Sequence, residues 1–328
     1  MRSTCSLYVD AGYLLASAAT RVTGTSLRSG IHVEYTKLIT ALVETAEAKS
    51  GLPVLRLHWY DSARNGVPDA QQERIGEISK VKLRLGRFGV NGEQKGVDLR
   101  IGLDLVAHAR NGASDVFFLV SGDDDLTEAV EEAQVHGVQV VVLAVPTAAG
   151  RAHGVSRHLI RAADELDSID GAAVDAAVLK VDRPPVPEPV APEPPPAPPR
   201  PAAPARPTVR TPLDLAAAAQ APAPRPPKSV LAYSVSTGSP GRGLPAYCED
   251  TDEQEEIIDE VVTRVLASFR ESATAAEKLE LQRARPSIPR EIDGALLLDA
   301  SDALQKYDLD EGIRYRLRSR FWEKYDEG

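Results

Sequence analysis

Twenty of the chain's 25 prolines lie between Pro184 and Pro245, and no other feature restricts folding so sharply. Proline fixes φ and lacks an N–H, so RPPVPEPVAPEPPPAPPRPAAPARP can join neither helix nor sheet. It reads as a disordered, partly polyproline linker, chiefly a spacer, whose proline motifs are too unspecific to name a docking partner. The 328 residues therefore divide into 1–182, a Pro-rich linker over 183–248, and 249–328.

Charge divides the same way. The three segments carry net −5, +4 and −9, which make up the formal −10. That balance excludes a generally basic nucleic-acid coat. Two cysteines, Cys5 and Cys248, exclude a disulfide scaffold. The start, MRSTCSLYVD, has no apolar h-region, and no apolar run approaches the roughly 18 residues of a membrane span. The expectation is a soluble, cytoplasmic protein with no membrane partner.

Residues 1–182 alternate strand and helix. Strand-like runs are Ser6–Asp10, Val54–Tyr60, Val81–Phe88, Val116–Ser121 and Val138–Val145. Most are too continuously apolar for a half-exposed sheet. Helical stripes run through Tyr35, Leu38, Ile39, Leu42, Val43 and Ala46, through Val97, Ile101, Leu105 and His108, and through Leu126, Ala129, Val130 and Ala133. This order predicts an α/β fold with a mainly parallel sheet covered on both faces. Residues 249–328 read as a small helical domain of three helices, opened by a Thr251–Gln254 capping box. Its stripes run from Ile257 to Phe269, over Ile292, Leu296 and Leu297, and over Ile313, Leu317, Phe321 and Tyr325.

Open α/β sheets bind ligands at the C-terminal ends of their strands. Asp10 ends the first strand, Ser121, Asp123, Asp124 and Asp125 end the fourth, and KGVDLRIGLDLV puts Asp98 in a helix's first turn. Carboxylates meeting at one edge repel each other, and hard oxygen donors suit Mg²⁺ or Mn²⁺. Such an ion lowers the pKa of bound water and neutralises a phosphoryl oxygen, the chemistry of phosphodiester hydrolysis. Each acid also has a plainer role. Asp10 and Asp125 can cap helices, and Asp98 can complement a helix dipole. Asp104 lies on a buried face and needs a partner, either the metal network or a nearby Arg or hydroxyl. Asp124 should face solvent, and Asp61 should be a loop residue.

The motifs LYVDAGYL, KGVDLRIGLDLV and FFLVSGDDDLTEAVEEAQVHGVQVVVL resemble the NYN domain family, a branch of the PIN-like ribonucleases. HLIRAADELDSI resembles its closing helix, and the likeness covers about residues 1–170. The resemblance implies a Rossmann-like PIN/NYN sheet and a metal-dependent nuclease acting on RNA. It implies that Asp10, Asp98, Asp123 and Asp125 hold one or two Mg²⁺ or Mn²⁺ ions. It implies that Asp104 and Ser121 support the site and that Lys95 faces a phosphate. Tyr13 stands where many members carry Asn, and so belongs with RNA handling. Asp124 and Leu126 depart from the usual Ser or Thr and Phe.

Seven basic residues between Lys80 and Arg110 would rim this acidic centre, and Lys95 and Arg100 flank Asp98. In the tail, Arg314, Arg316, Arg318 and Arg320 beside Phe321 and Trp322 could read RNA. With net −9 there, exposed arginines on an apolar-faced helix suit a protein-binding or self-associating module over 249–328 better. No P-loop and no G-x-G-x-x-G after the first strand is present. The sequence thus points to a metal-dependent endoribonuclease. The rival is a non-catalytic RNA-binding or regulatory adaptor that keeps the fold.

Overall fold

The computed structural model describes residues 3–88, 94–181, 251–306 and 309–327. The expected linker lies outside the described residues. The described residues of 1–185 and 250–328 form one compact unit.

The first part runs β1 (Cys5–Asp10), α1 (Ala11–Thr23), β2 (Ile31–Val33), α2 (Tyr35–Ser50), β3 (Val54–Ala63), α3 (Ala70–Glu77), β4 (Val81–Phe88) and β5 (Gln94–Lys95). It continues α4 (Val97–Arg110), β6 (Val116–Val120), α5 (Thr127–Val135), β7 (Gln139–Ala144), α6 (Arg157–Ala162), β8 (Glu165–Ser168), α7 (Gly171–Ala177) and β9 (Val178–Lys180).

Seven strands form the main sheet in the order β5-β4-β3-β1-β6-β7-β8, and only β5 is antiparallel. The period-two alternation of β1 sends Cys5, Leu7 and Val9 into a core shared with α1, α2 and α7. It sends Tyr8 into the opposite core, shared with α4, α5 and α6. Both faces are therefore covered, as the continuously apolar strands require. The chain winds outward from β1 through β3 to β4, then returns to β6 on the other side of β1. The strand order thus reverses between β1 and β6, which opens a crevice at their C-terminal ends.

Two expected boundaries move. β3 extends through Asp61 to Ala63, because its pairing with β4 continues to Ala63 opposite Arg87. Asp61 is therefore a strand residue. The expected closing helix stops at Ala162, and Glu165–Ser168 becomes an edge strand. Asp164 causes the change by accepting from the Val140 N–H at 2.7 Å.

The C-terminal part holds four helices among its described residues, α8 (Thr251–Ser272), α9 (Ala275–Ala284), α10 (Arg290–Ala303) and α11 (Glu311–Glu327). α9 escapes a periodicity reading because only Leu281 of it is buried. Its signal is local instead, a Thr274–Glu277 capping box. The expected box at Thr251 rests on a side chain outside the described residues. Ile258, Val262, Val265, Phe269, Leu296 and Phe321 build the bundle core, and Leu27 of the first part is buried in it. No helix among the described residues is long and apolar enough to cross a membrane.

Candidate carboxylate site

Asp10 ends β1 and caps α1, accepting from the Gly12 N–H at 2.8 Å. The capping role and the site role therefore coincide in one residue. Burial pushes its carboxyl up to about 6, and the Asp98 charge adds to this. The N–H groups of Tyr13 and Gly12 and the Arg28 guanidinium oppose the rise.

Asp98 stands in the first turn of α4, after Gly96 turns the chain at φ 82°. Burial raises its carboxyl above the usual range, and Asp125 raises it further. Asp123 is likewise raised, first by burial and then by Asp98, Asp125 and Asp124. Asp125 itself is exposed. Asp98, in α4, thus acts through space on Asp10 at the end of β1 and on Asp123 after β6, and Asp125 acts on Asp98 and Asp123. Among the described residues, no three His, Cys, Asp or Glu side chains form a group that could hold a metal ion. The donor set still fits a hard divalent cation in chemistry. It is all carboxylate oxygen, and three of its members are held above their ordinary pKa by burial and a neighbouring acid.

The loop after β6 is fixed by close packing. Ser121 is fully buried, and its Oγ accepts from the Asp123 N–H at 3.3 Å. Asp123, rather than Asp125, caps the short turn Asp124–Leu126, accepting from the Asp125 N–H at 3.1 Å. Asp124 does not simply face solvent. It accepts from Ser156 Oγ at 2.6 Å and pairs with His158 Nδ1 at 3.1 Å. Tyr13 donates its hydroxyl to the His153 carbonyl at 2.7 Å and accepts from the Val145 N–H at 3.3 Å. That hydroxyl is used within the fold, so a contact from Tyr13 to RNA falls to the ring.

Asp104 takes the second of its two expected alternatives. It accepts from the Tyr60 hydroxyl at 2.9 Å and pairs with Arg84 at 3.2 Å. Beside it, Tyr8 bonds His108 Nδ1 at 2.9 Å and stacks on His58. Asp104 thus closes a polar cluster under α4.

The basic rim is partly consumed as well. Arg84 serves Asp104, Lys80 pairs with Glu47 at 3.4 Å, and Arg100 donates to the Leu85 carbonyl at 3.0 Å. Arg100 also lines a cavity of about 320 Å³ with Asn65, Gly66, Leu83 and Leu85. The Lys95 backbone pairs with Arg87, and its side chain lies outside the described residues. Arg28 is the residue that motif reading misses. It acts on Asp10, Asp61 and Tyr35, yet no motif marks it.

A doubly wound parallel sheet with acids around its switch point defines the class of open α/β domains that take ligands at the C-terminal ends of their strands. Within that class, the chain belongs to the NYN domain family, matched over residues 5–170, and so carries a PIN-like, nuclease-type fold. It is also 42% identical over 81 residues to "Uncharacterized protein y4oD" of Sinorhizobium fredii (strain NBRC 101917 / NGR234). That similarity covers 25% of this chain and 38% of the relative, so it spans well under half of that protein.

Proposed function

We propose that this protein is a metal-dependent endoribonuclease that hydrolyses RNA phosphodiester bonds. The observation that supports the reading is the convergence of Asp10, Asp98 and Asp123, three half-buried acids from separate elements beside the switch point, with the Asp98 charge raising the carboxyls of the other two. Asp10, Asp98, Asp123 and Asp125 are the residues that would hold Mg²⁺ or Mn²⁺. When bound, the ion supplies charge neutralisation at the phosphoryl oxygen and a water of lowered pKa.

The chain's own residues supply placement. Ser121 orients the backbone that presents Asp123. Arg100 and Lys95 would contact the RNA backbone, and the Tyr13 ring closes the crevice beside Gly122 and Gly154. Asp104 supports at a distance by fixing Tyr60 and Arg84 under α4. The boundaries 1–182, 183–248 and 249–328 belong to the same reading, as do a cytoplasmic location and a partner or a second copy for the C-terminal module.

The test is incubation of the full chain with labelled RNA and Mn²⁺ or Mg²⁺, beside an Asp123→Asn variant. Cleavage by the first and not the second is expected. Equal decay with both proteins, or none with either, overturns the nuclease reading. Retention of uncut RNA on a filter would instead favour the adaptor.

A further inference from the structure

Residues 26–29 belong to two places at once. Leu27 is fully buried in the C-terminal bundle, among α8, α10 and α11 residues such as Val262, Leu296 and Leu317. On one side of it, the Ser26 N–H donates to the buried Asp299 carboxylate at 3.0 Å, and Ser26 Oγ donates to the Ala295 carbonyl at 3.4 Å. On the other side, the Ser29 N–H donates to Glu291 at 2.7 Å. Three anchors on α10 and the bundle core, Ser26, Leu27 and Ser29, therefore fix this segment, and Arg28 lies between the last two.

The Arg28 side chain turns the other way, to the carboxylate site. Its Nη2 lies 3.3 Å from where a Cβ on Gly12 would stand, and Asp10 Oδ1 lies 2.9 Å from the same point. Gly12 is thus the gap through which Arg28 approaches Asp10. Despite this, the guanidinium makes no hydrogen bond or ion pair with any described residue. It is also half-buried rather than free in solvent. A guanidinium held beside acids but bonded to none of them retains its planar donor fork for an anion.

We propose that Arg28 contacts a phosphate of the RNA at the carboxylate site, and that the C-terminal bundle positions it there through Leu27, Ser26–Asp299 and Ser29–Glu291. The inference rests on the nuclease reading for its substrate. It makes the C-terminal helices part of the site's construction. Arg28 is the substrate-contacting residue, whereas Leu27, Asp299 and Glu291 act through it.

The experiment uses the full chain and a labelled single-stranded RNA. Cleavage with Mn²⁺ is measured for the unchanged protein, Arg28→Ala and Arg28→Lys. RNA affinity is measured in an Asp123→Asn background with and without Arg28→Ala. Loss of a charge-assisted contact should weaken affinity and raise KM by about tenfold to a hundredfold, with partial rescue by Arg28→Lys. If the unchanged protein cuts RNA and Arg28→Ala cuts it equally well, the inference is overturned and the nuclease reading stands. If the unchanged protein does not cut, that reading fails. The affinity arm then decides alone, and equal binding with and without Arg28 overturns the contact.

Glu291→Ala tests the bundle's part, because it removes the acceptor of the Ser29 N–H at an exposed site and leaves the core intact, and Leu27→Ala tests it more strongly. Each should lower affinity several-fold alone and add nothing once Arg28 is Ala. Additive losses overturn the positioning role.

Discussion

Tyr13 and Gly122 touch across the crevice. A Cβ built on Gly122 would lie 2.9 Å from the Tyr13 ring and only 1.7 Å from the Gly154 carbonyl oxygen. The glycine of SGDDD is therefore required by close approach of two backbones, not by a left-handed turn. Gly122→Ala should move the 153–154 loop or displace Asp123, lowering stability by about 1–3 kcal/mol. Thermal unfolding and RNA cleavage together check this, and an unchanged Tm with full activity would contradict it.

Asp10→Asn should stabilise the metal-free protein while abolishing cleavage. The Asp10 carboxyl holds its proton more tightly when folded, near 6, than the 3.8 of an unperturbed Asp. Its contribution to stability is thus full below 3.8 and lost as pH rises through about 6. At neutral pH the buried charge should cost roughly 1–3 kcal/mol. Asn removes that charge and still caps α1. The same logic predicts that Mn²⁺ raises the Tm of the unchanged protein more than that of Asp10→Asn, as scanning calorimetry would show.

The sheet and the bundle's main helices were legible because they rest on extended apolar patterns, continuous runs in strands such as Val116–Val120 and the 3.6-residue stripe Ile257–Phe269. The chain positions of the acids were legible too, since each follows a strand or opens a helix. Their partners were not. Asp104 could be assigned a need but not a choice, because Arg84 and Tyr60 reach it only through β3–β4 pairing and the placement of α4. Arg28 was invisible for a related reason. It lies in a short turn, Arg28–Gly30, and its placement comes from bonds that its neighbours Ser26 and Ser29 make to residues more than 260 positions away.

His58 should make the protein sensitive to acid. Burial and the charges of His108 and Arg84 lower its pKa to about 4, and its Nδ1 is buried without a hydrogen-bond partner. The unfolded chain protonates this ring near 6.5, so stability falls as pH drops below 6.5 and the loss is complete below about 4. His58→Phe keeps a ring against Tyr8 and removes the titration. Its Tm advantage over the unchanged protein should grow between pH 7.5 and pH 5 on the scale of about 1–2 kcal/mol. The comparison isolates His58 from Asp10 and Asp299, whose raised pKa values act in the opposite direction in both proteins. A constant difference across that range would refute the assignment.

Three of the four arginines expected to read RNA from α11 tie that helix to its neighbours, which bears on whether the tail reads RNA. Arg318 grips Asp293 of α10 with two bonds of 2.7 and 2.9 Å, Arg316 reaches Glu255 of α8 at 2.7 Å, and Arg320 pairs with Asp259 of α8 at 3.0 Å. An RNA clamp would need these guanidinium groups turned outward, and each is committed to another helix. Arg318→Ala should therefore lower bundle stability by about 1 kcal/mol, since its bidentate pair is better formed than an ordinary surface ion pair. RNA affinity of the full chain should stay unchanged at moderate salt. A fall in affinity, without a fall in Tm, would return the α11 arginines to the nucleic-acid interface.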